Sequence, residues 1–168
     1  NLADHGLKLA DLVELKQLFE HATTFGSLIQ VPAELALKLP ALRRLSELKG
    51  QDILVAMTLK TLEPLVRQAE LLAARYEDVV ANPPYMGTNG MNPLMKKFAS
   101  DYFPDSRSDL YACFIERSYS LAKSAGRNSM VTMQSWMFLS SFQKMRERML
   151  SETTMSSMAQ IGYNTFPS

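Results

Sequence analysis

Leucine is segregated along this chain. Nineteen leucines fall in residues 1–75 and five in residues 76–168, while ten of the 11 methionines fall in the second stretch. Charge does not follow that division: basic and acidic residues number 9 and 9 before Tyr76, and 9 and 8 from Tyr76 onward. The boundary near Arg75–Glu77 is therefore one of apolar residue type, which governs packing, and it predicts two parts built differently. In the first part the apolar residues recur at spacings of three and four, which places them on one face of a helix. Leu12, Leu15, Leu18 and Phe19 form one stripe after Asp11. Leu35, Leu39, Leu42 and Leu45 form a second, and Leu62, Leu65, Ala69 and Leu72 a third. Pro40 and Pro64 interrupt two of these runs, where kinks or breaks are expected. Gly50 reads as a helix C-terminal cap, with Asp52 near the start of the third helix. Ser27–Val31, between Gly26 and Pro32, reads as a short strand.

The second part alternates between short apolar runs and helical stretches. Asp78-Val79-Val80-Ala81 is read as a buried strand, stopped by two prolines. Helices are expected over Pro93–Asp101 and from about Ser108 to Ser124, the latter with Leu110, Phe114, Ser118 and Leu121 on one face and Gly126 beyond its end. Ser129–Met133 reads as a second strand. Ser135 is a candidate N-cap of a helix whose stripe is Phe138, Phe142, Met145 and Met149. Met155–Ile161 reads as a third strand. Strands separated by helices long enough to cross over argue for an α/β fold with a parallel sheet.

Composition narrows the function. With 168 residues, 46% hydrophobic and 21% charged, the chain can bury an ordinary globular core and is not disordered as a whole. A net charge of +1 excludes nucleic-acid binding by sheer positive charge, leaving only a local basic face. A single cysteine cannot form an intrachain disulfide and, with two histidines, cannot build a zinc cluster, so no metal site is expected. No apolar run reaches the roughly 18 to 20 residues of a membrane helix, and no signal peptide is evident, so a cytoplasmic protein with no membrane partner is expected. A chain that starts at Asn1 reads as an internal or processed piece.

Asn82-Pro83-Pro84-Tyr85 follows the Asp78–Ala81 strand directly. In open α/β sheets, ligands bind past the carboxyl ends of strands. At average residue frequencies this tetrapeptide arises by chance in roughly one chain in a thousand or fewer. Its residue types suit an exocyclic amino group on a nucleobase, whose lone pair is drawn into the ring and which is therefore a poor nucleophile. Two acceptors aimed at its two protons hold the nitrogen for attack: the Asn82 carboxamide oxygen and the Pro83 carbonyl. Pro83 and Pro84 fix φ and preorganise the loop. Tyr85 offers a face on which an extruded base can stack. A proline-stiffened turn bearing a surface tyrosine is the plain alternative, and it accounts for the prolines but not for the residues flanking them.

Val79–Tyr85 resembles the catalytic motif of amino-methylating DNA methyltransferases that act on adenine. The resemblance runs on through Ser108-Asp109-Leu110-Tyr111, Phe114-Ile115-Glu116-Arg117 and Ser129–Phe138. The stretch from about Tyr76 to Phe166 resembles the catalytic-domain segment of the large adenine methylases of type II restriction systems, most of all the PglX methylases of BREX phage defence. Phe25–Ile29 resembles that family more weakly. The resemblance implies S-adenosylmethionine as methyl donor and a flipped adenine in double-stranded DNA as acceptor. Asn82, Pro83, Pro84 and Tyr85 would be the catalytic loop, and Asp109 and Leu110 would lie near the donor or the base. It implies direct transfer, so Cys113 is not needed as a nucleophile and reads as a buried structural cysteine. Gly87-Thr88-Asn89-Gly90 would border the pocket, and nothing around it makes a phosphate loop.

The glycine-rich loop that holds the donor in such methylases has no counterpart, since no G-x-G occurs. The expectation is a partial, incomplete Rossmann-like methyltransferase sheet (76–168) preceded by an α-helical segment or insertion (1–75), inactive by itself. Its open sheet edges favour a homodimer or pairing with other defence-system subunits. Lys144, Arg146 and Arg148, with Lys123 and Arg127, read either as phosphate contacts or as a solvated face. Trp136 reads as core in preference to a wedge into DNA. The rival reading is a noncatalytic interaction module that retains a methylase-like scaffold. A glycine-rich donor loop in the preceding sequence would favour the enzyme, and its absence there the module.

Overall fold

The computed structural model describes residues 2–48 and 53–161. The expected cap at Gly50 and the start signal at Asp52 lie outside them. The described residues form α1 (Leu9–Leu18), α2 (Ala22–Phe25), α3 (Ala33–Ser46), α4 (Ile53–Ala73), β1 (Tyr76–Ala81), α5 (Pro93–Tyr102), α6 (Leu110–Leu121), β2 (Ala122–Met130) and α7 (Gln143–Glu152), joined by short 3-10 turns. The chain divides into two compact units, residues 1–77 with 121–126 and residues 78–120 with 127–168. None of the described helices is long and apolar enough to cross a membrane.

The first unit is helical, and its core is the set of leucine stripes. Leu15 of α1, Leu35, Leu39 and Leu42 of α3, and Val66 and Ala69 of α4 are buried together with Leu7, Phe19 and Ile29. α3 packs along α4, and α1 packs against both. Local chemistry sets the helix starts: the Asp11 carboxylate reaches back to accept from the Lys8 N–H at 2.7 Å, half of a capping arrangement. Pro40 and Pro64 lie inside α3 and α4 and break neither helix. Both prolines are exposed, so water can satisfy the carbonyl that each leaves without its helical donor. The strand expected at Ser27–Val31 is absent. Gly26, with φ +53, turns the chain into a 3-10 turn over Gly26–Leu28, and Leu28 and Ile29 are buried as a loop plug. Apolar burial, not strand pairing, explains those residues.

The sheet is two parallel strands. β1 covers the expected run and two residues more. Its expected burial is not found: Val80 is 79% exposed, and only Tyr76, Val79 and Ala81 are half-covered. β-branched residues make the strand, but cover for a face must come from elsewhere, and no described residue supplies it. β2 overlaps the expected Ser129–Met133 strand only at Ser129 and Met130 and begins at Ala122. Ala122–Arg127 holds no β-branched or aromatic residue, so pairing with β1 overrides local propensity. That pairing ends where the Val131 N–H donates to the Ala81 carbonyl at 3.1 Å.

β2 bends early along its length, where Ala125 sits at φ 61. A Cβ at Gly126 would lie 2.9 Å from the Lys123 carbonyl and 3.0 Å from the Glu77 carbonyl, both backbone atoms. Gly126→Ala should therefore cost about 1–3 kcal/mol, as overpacking against rigid groups does. Thermal unfolding of the variant beside wild type measures it, and an unchanged midpoint would contradict the close approach.

In the second unit, α5 matches its expected span within a residue. Its N-cap is Asn92, whose carboxamide accepts from the Met95 N–H at 2.8 Å, followed by Pro93 in the first turn. α6 is shorter than expected at both ends, because Asp109 caps its start and β2 takes over at Ala122. The single helix expected after Ser135 is two 3-10 turns (Gln134–Met137 and Ser140–Phe142) followed by α7. Phe142, Met145 and Met149 are buried as the stripe predicted, but Phe138 is 71% exposed, because the turns carry it off that face. No strand forms at Met155–Ile161, whose residues are all exposed. Met155 and Met158 are three apart, which does not match the period of two that a half-buried strand needs.

Candidate active site

β1 delivers Asn82 at its carboxyl end. Asn82 and Pro84 are exposed, Pro83 is buried and Tyr85 is half-exposed at 48%. The Tyr85 hydroxyl lies 3.1 Å from Asn82 Oδ1 and 3.2 Å from the Val131 carbonyl. It has one proton to donate and two acceptors in reach. It orients the carboxamide of Asn82, placing Oδ1 on the Tyr85 side, and it ties the loop to the residue that follows β2.

The other end of the loop is clamped by the start of α6. Asp109 Oδ1 accepts from the Met86 N–H at 3.0 Å and from the Tyr111 N–H at 3.3 Å. The Leu110 N–H donates to the Met86 carbonyl at 3.0 Å, and the Thr88 N–H donates to the Ser108 carbonyl at 3.2 Å. Gly87 and Asp109 thus form an isolated antiparallel bridge. The Asp109 carbonyl also accepts from the N–H groups of Ala112 and Cys113. One aspartate therefore caps α6 and anchors the loop. Leu110 is buried.

Behind the loop is a small core of Tyr111, Ala112, Ile115, Phe142 and Met145, with Met130, Tyr119 and Trp136 packed against it. Tyr111 meets Tyr85 edge-on with ring centres 6.1 Å apart. Its hydroxyl is 2.8 Å from Ser135 Oγ, and burial pushes its pKa up, so it stays protonated. Ser135, expected as a helix N-cap, instead holds this phenol from within a 3-10 turn. Trp136 is half-buried on the core, its indole N–H donating to Thr132 Oγ1 at 3.2 Å.

The basic residues do more structural work than expected. Arg146 donates to the carbonyls of Trp136 and Leu139, both at 2.7 Å, holding the turns before α7. Arg148 pairs with Glu116 and Glu152, and Lys123 pairs with Glu77. Tyr111 and the Val131 carbonyl were not singled out from sequence. Tyr111 carries one sequence signal, as the aromatic that closes the Ser-Asp-Leu-Tyr run, and the Val131 carbonyl carries none.

Cys113 is fully buried, its Sγ 3.5 Å from the Ser106 carbonyl. Burial pushes its thiol up to about 12, so almost no thiolate exists at neutral pH. The raised value means that its contribution to stability is intact below the ordinary thiol range and is lost as pH rises from about 9 toward 12. In the native chain iodoacetamide should label Cys113 at least about a hundredfold more slowly than in the unfolded chain. Mass spectrometry of timed samples checks this, and equal rates would contradict the burial.

The arrangement suits an acceptor base better than the methionine half of a sulfonium donor. Asn82 Oδ1 offers an acceptor beside a half-exposed aromatic face. A donor's amino-acid end calls for a run of glycine-bared backbone, and the two glycines near the loop do not supply it. Gly90 has Met86 Cγ 3.0 Å from where its Cβ would stand, and Gly87 lies against Asp109.

Comparison with known proteins places the chain in a family. The chain is 48% identical over 157 residues to the adenine-specific methyltransferase BrxX of Escherichia coli O9:H4 (strain HS), covering 92% of this chain and 13% of that protein. It is 44% identical over 105 residues to the adenine-specific methyltransferase PglX of Lacticaseibacillus casei (strain Zhang), covering 62% of this chain and 9% of that protein. The chain thus spans a small part of the length of these relatives. Residues 11–166 match the Eco57I restriction-modification methylase family, a match that runs through the Asn-Pro-Pro-Tyr loop and the clamp that holds it. The chain belongs to that family.

Proposed function

We propose that this segment is the acceptor-side part of an S-adenosylmethionine-dependent DNA methyltransferase that methylates the exocyclic amino group of adenine, in phage defence or restriction-modification. The observation that carries this reading is the Asn82 carboxamide at the end of β1, oriented by Tyr85 and flanked by that residue's half-exposed ring. Asn82 Oδ1 and the Pro83 carbonyl accept the two amino protons of a flipped adenine. This restrains the nitrogen and turns its lone pair out of the ring plane, toward the incoming methyl. As the base enters, the Tyr85 hydroxyl keeps the Val131 carbonyl and yields Asn82 Oδ1 to the amino group. The buried Pro83 and exposed Pro84 hold the loop, and the Tyr85 ring stacks on the base.

When bound, the donor supplies an electrophilic methyl on sulfur. Asp109 and Leu110 border its side of the pocket, Asp109 through its hold on Met86. Residues 76–168 are the acceptor part of a Rossmann-like domain and residues 1–75 a helical segment that accompanies it. The substrate is double-stranded DNA in the cytoplasm, and the working assembly is a homodimer or a complex with other defence subunits. The 168-residue chain alone does not methylate.

A duplex with 2-aminopurine at the target adenine tests the base-binding step in the full-length protein, once the target is read from the positions that the protein methylates in unmodified DNA. Binding should raise the probe's fluorescence. Tyr85→Ala should weaken binding of the flipped base by about 1–3 kcal/mol, roughly five- to 150-fold. Wild-type affinity and fluorescence in that variant would remove Tyr85 from the base site.

A further inference from the structure

Tyr85 is held at two places by one backbone segment. Its hydroxyl reaches the Val131 carbonyl at 3.2 Å. Its ring meets the edge of Tyr111, whose hydroxyl reaches Ser135 Oγ at 2.8 Å, four residues further along the same segment. The contacts close a circuit: Tyr85 to Val131, along the chain to Ser135, across to Tyr111 and back to Tyr85.

Each corner of the circuit is fixed from outside. Val131 is fixed by its N–H bond to Ala81, at the very end of β1. Tyr111 is fully buried, its ring 6.0 Å from Phe142, and its N–H is held by Asp109, the residue that also anchors Met86. Ser135 is held by its own carbonyl, which accepts from the N–H groups of Phe138 and Leu139 at 3.2 and 3.0 Å. A buried phenol needs a hydrogen-bond partner somewhere. This partner stands on the segment whose carbonyl holds the hydroxyl of the neighbouring tyrosine, so moving it moves both supports of the Tyr85 ring.

Resting on the methyltransferase reading above, we propose that Tyr111 and Ser135 are a positioning pair: without touching the base, they set the tilt and depth of the Tyr85 ring and so the angle at which the acceptor nitrogen is presented. Small errors of placement at a reacting centre cost rate more than affinity. A hydrogen bond between neutral groups, lost from such a support, should cost roughly tenfold in the transfer step.

The test is single-turnover methylation of a defined target duplex by the full-length protein, which separates the rate constant from the fraction of active enzyme. Tyr111→Phe keeps the ring and loses the hydroxyl; Ser135→Ala removes the partner from a half-buried turn and leaves the core intact. Each should lower the rate constant about tenfold, with full amplitude and with donor and DNA affinities within about twofold of wild type. The double variant should be no slower than either single one, and Ser135→Thr, which keeps a hydroxyl, should restore most of the rate. A purely structural role would instead reduce amplitude and leave the rate constant alone, and that result would overturn the proposal, as would additive losses in the double variant. Asn82→Ala in the same assay separates the two levels. If it is inactive while Tyr111→Phe and Ser135→Ala run at the wild-type rate, only the positioning pair fails. If Asn82→Ala itself runs at the wild-type rate, the reading beneath it fails as well.

Discussion

Asn82→Ala in the intact protein should lower the rate of adenine methylation by at least about 10²–10³-fold while leaving folding and donor affinity near wild type. The lone pair of an adenine amino group is delocalised, so the nitrogen attacks only when its two N–H bonds are held and the lone pair is turned out of the ring. In the proposed function Asn82 supplies one of the two acceptors, and its carboxamide is already oriented by Tyr85. Removing one preorganised group of this kind costs that much in comparable sites. Stability should hardly change, because Asn82 is exposed and its one described side-chain bond is to the half-exposed Tyr85. Quantifying N6-methyladenine by mass spectrometry after incubation with unmodified DNA gives the rate. Methylation at the wild-type rate would refute the acceptor role.

The second large effect is expected at Asp109, and the choice of substitution separates two roles. One oxygen, Oδ1, accepts both the Met86 N–H and the Tyr111 N–H. Asp109→Ala removes the loop anchor and the side-chain cap of α6 together. The missing cap should cost about 1 kcal/mol of stability. The released loop should lower the methylation rate about a hundredfold, since the Asn-Pro-Pro-Tyr residues then lose the hold on Met86. Asp109→Asn keeps the acceptor oxygen and discards only the charge, so it should retain the fold and most of the rate. If Asp109 acted mainly by its negative charge toward the donor, the Asn variant would fail as badly as the Ala variant and donor affinity would fall in both. Equilibrium donor titration beside the rate measurement tells these outcomes apart.

The parts of this molecule that were readable in advance are those whose signal is local. The leucine stripes of α1, α3 and α4 mark a helix face at any register, and the same leucines form the core. Val79–Tyr85 was readable because β-branched residues and two prolines impose an extended strand and then stop it. Helical spacing likewise marks Phe142, Met145 and Met149 as one buried face, though not Phe138, which is exposed. What was not readable depends on partners distant in sequence. β2 begins in a stretch with no strand-forming residues, because β1 dictates its register. Leu28 and Ile29 look like a strand but are buried in a loop, Ile29 in the helical core. The Asp109 clamp, the Tyr111–Ser135 bond and the Val131 carbonyl at the Tyr85 hydroxyl join residues 20 or more positions apart, and no periodicity announces such pairs. Pro40 and Pro64 show the converse: a strong local breaker is tolerated when it sits on the solvent side of a helix that packing already holds.

The account stands on one geometric claim, that the loop after β1 grips the amino group of a flipped adenine. A crystal structure of the intact protein with a target duplex and an unreactive analogue of S-adenosylmethionine measures it directly. The account predicts the adenine out of the helix and stacked on Tyr85, with its amino nitrogen within hydrogen-bonding distance of Asn82 Oδ1 and the Pro83 carbonyl, and the Tyr85 hydroxyl on Val131 alone. An adenine bound elsewhere, or left stacked in the duplex while Asn82 still holds Tyr85, would contradict it.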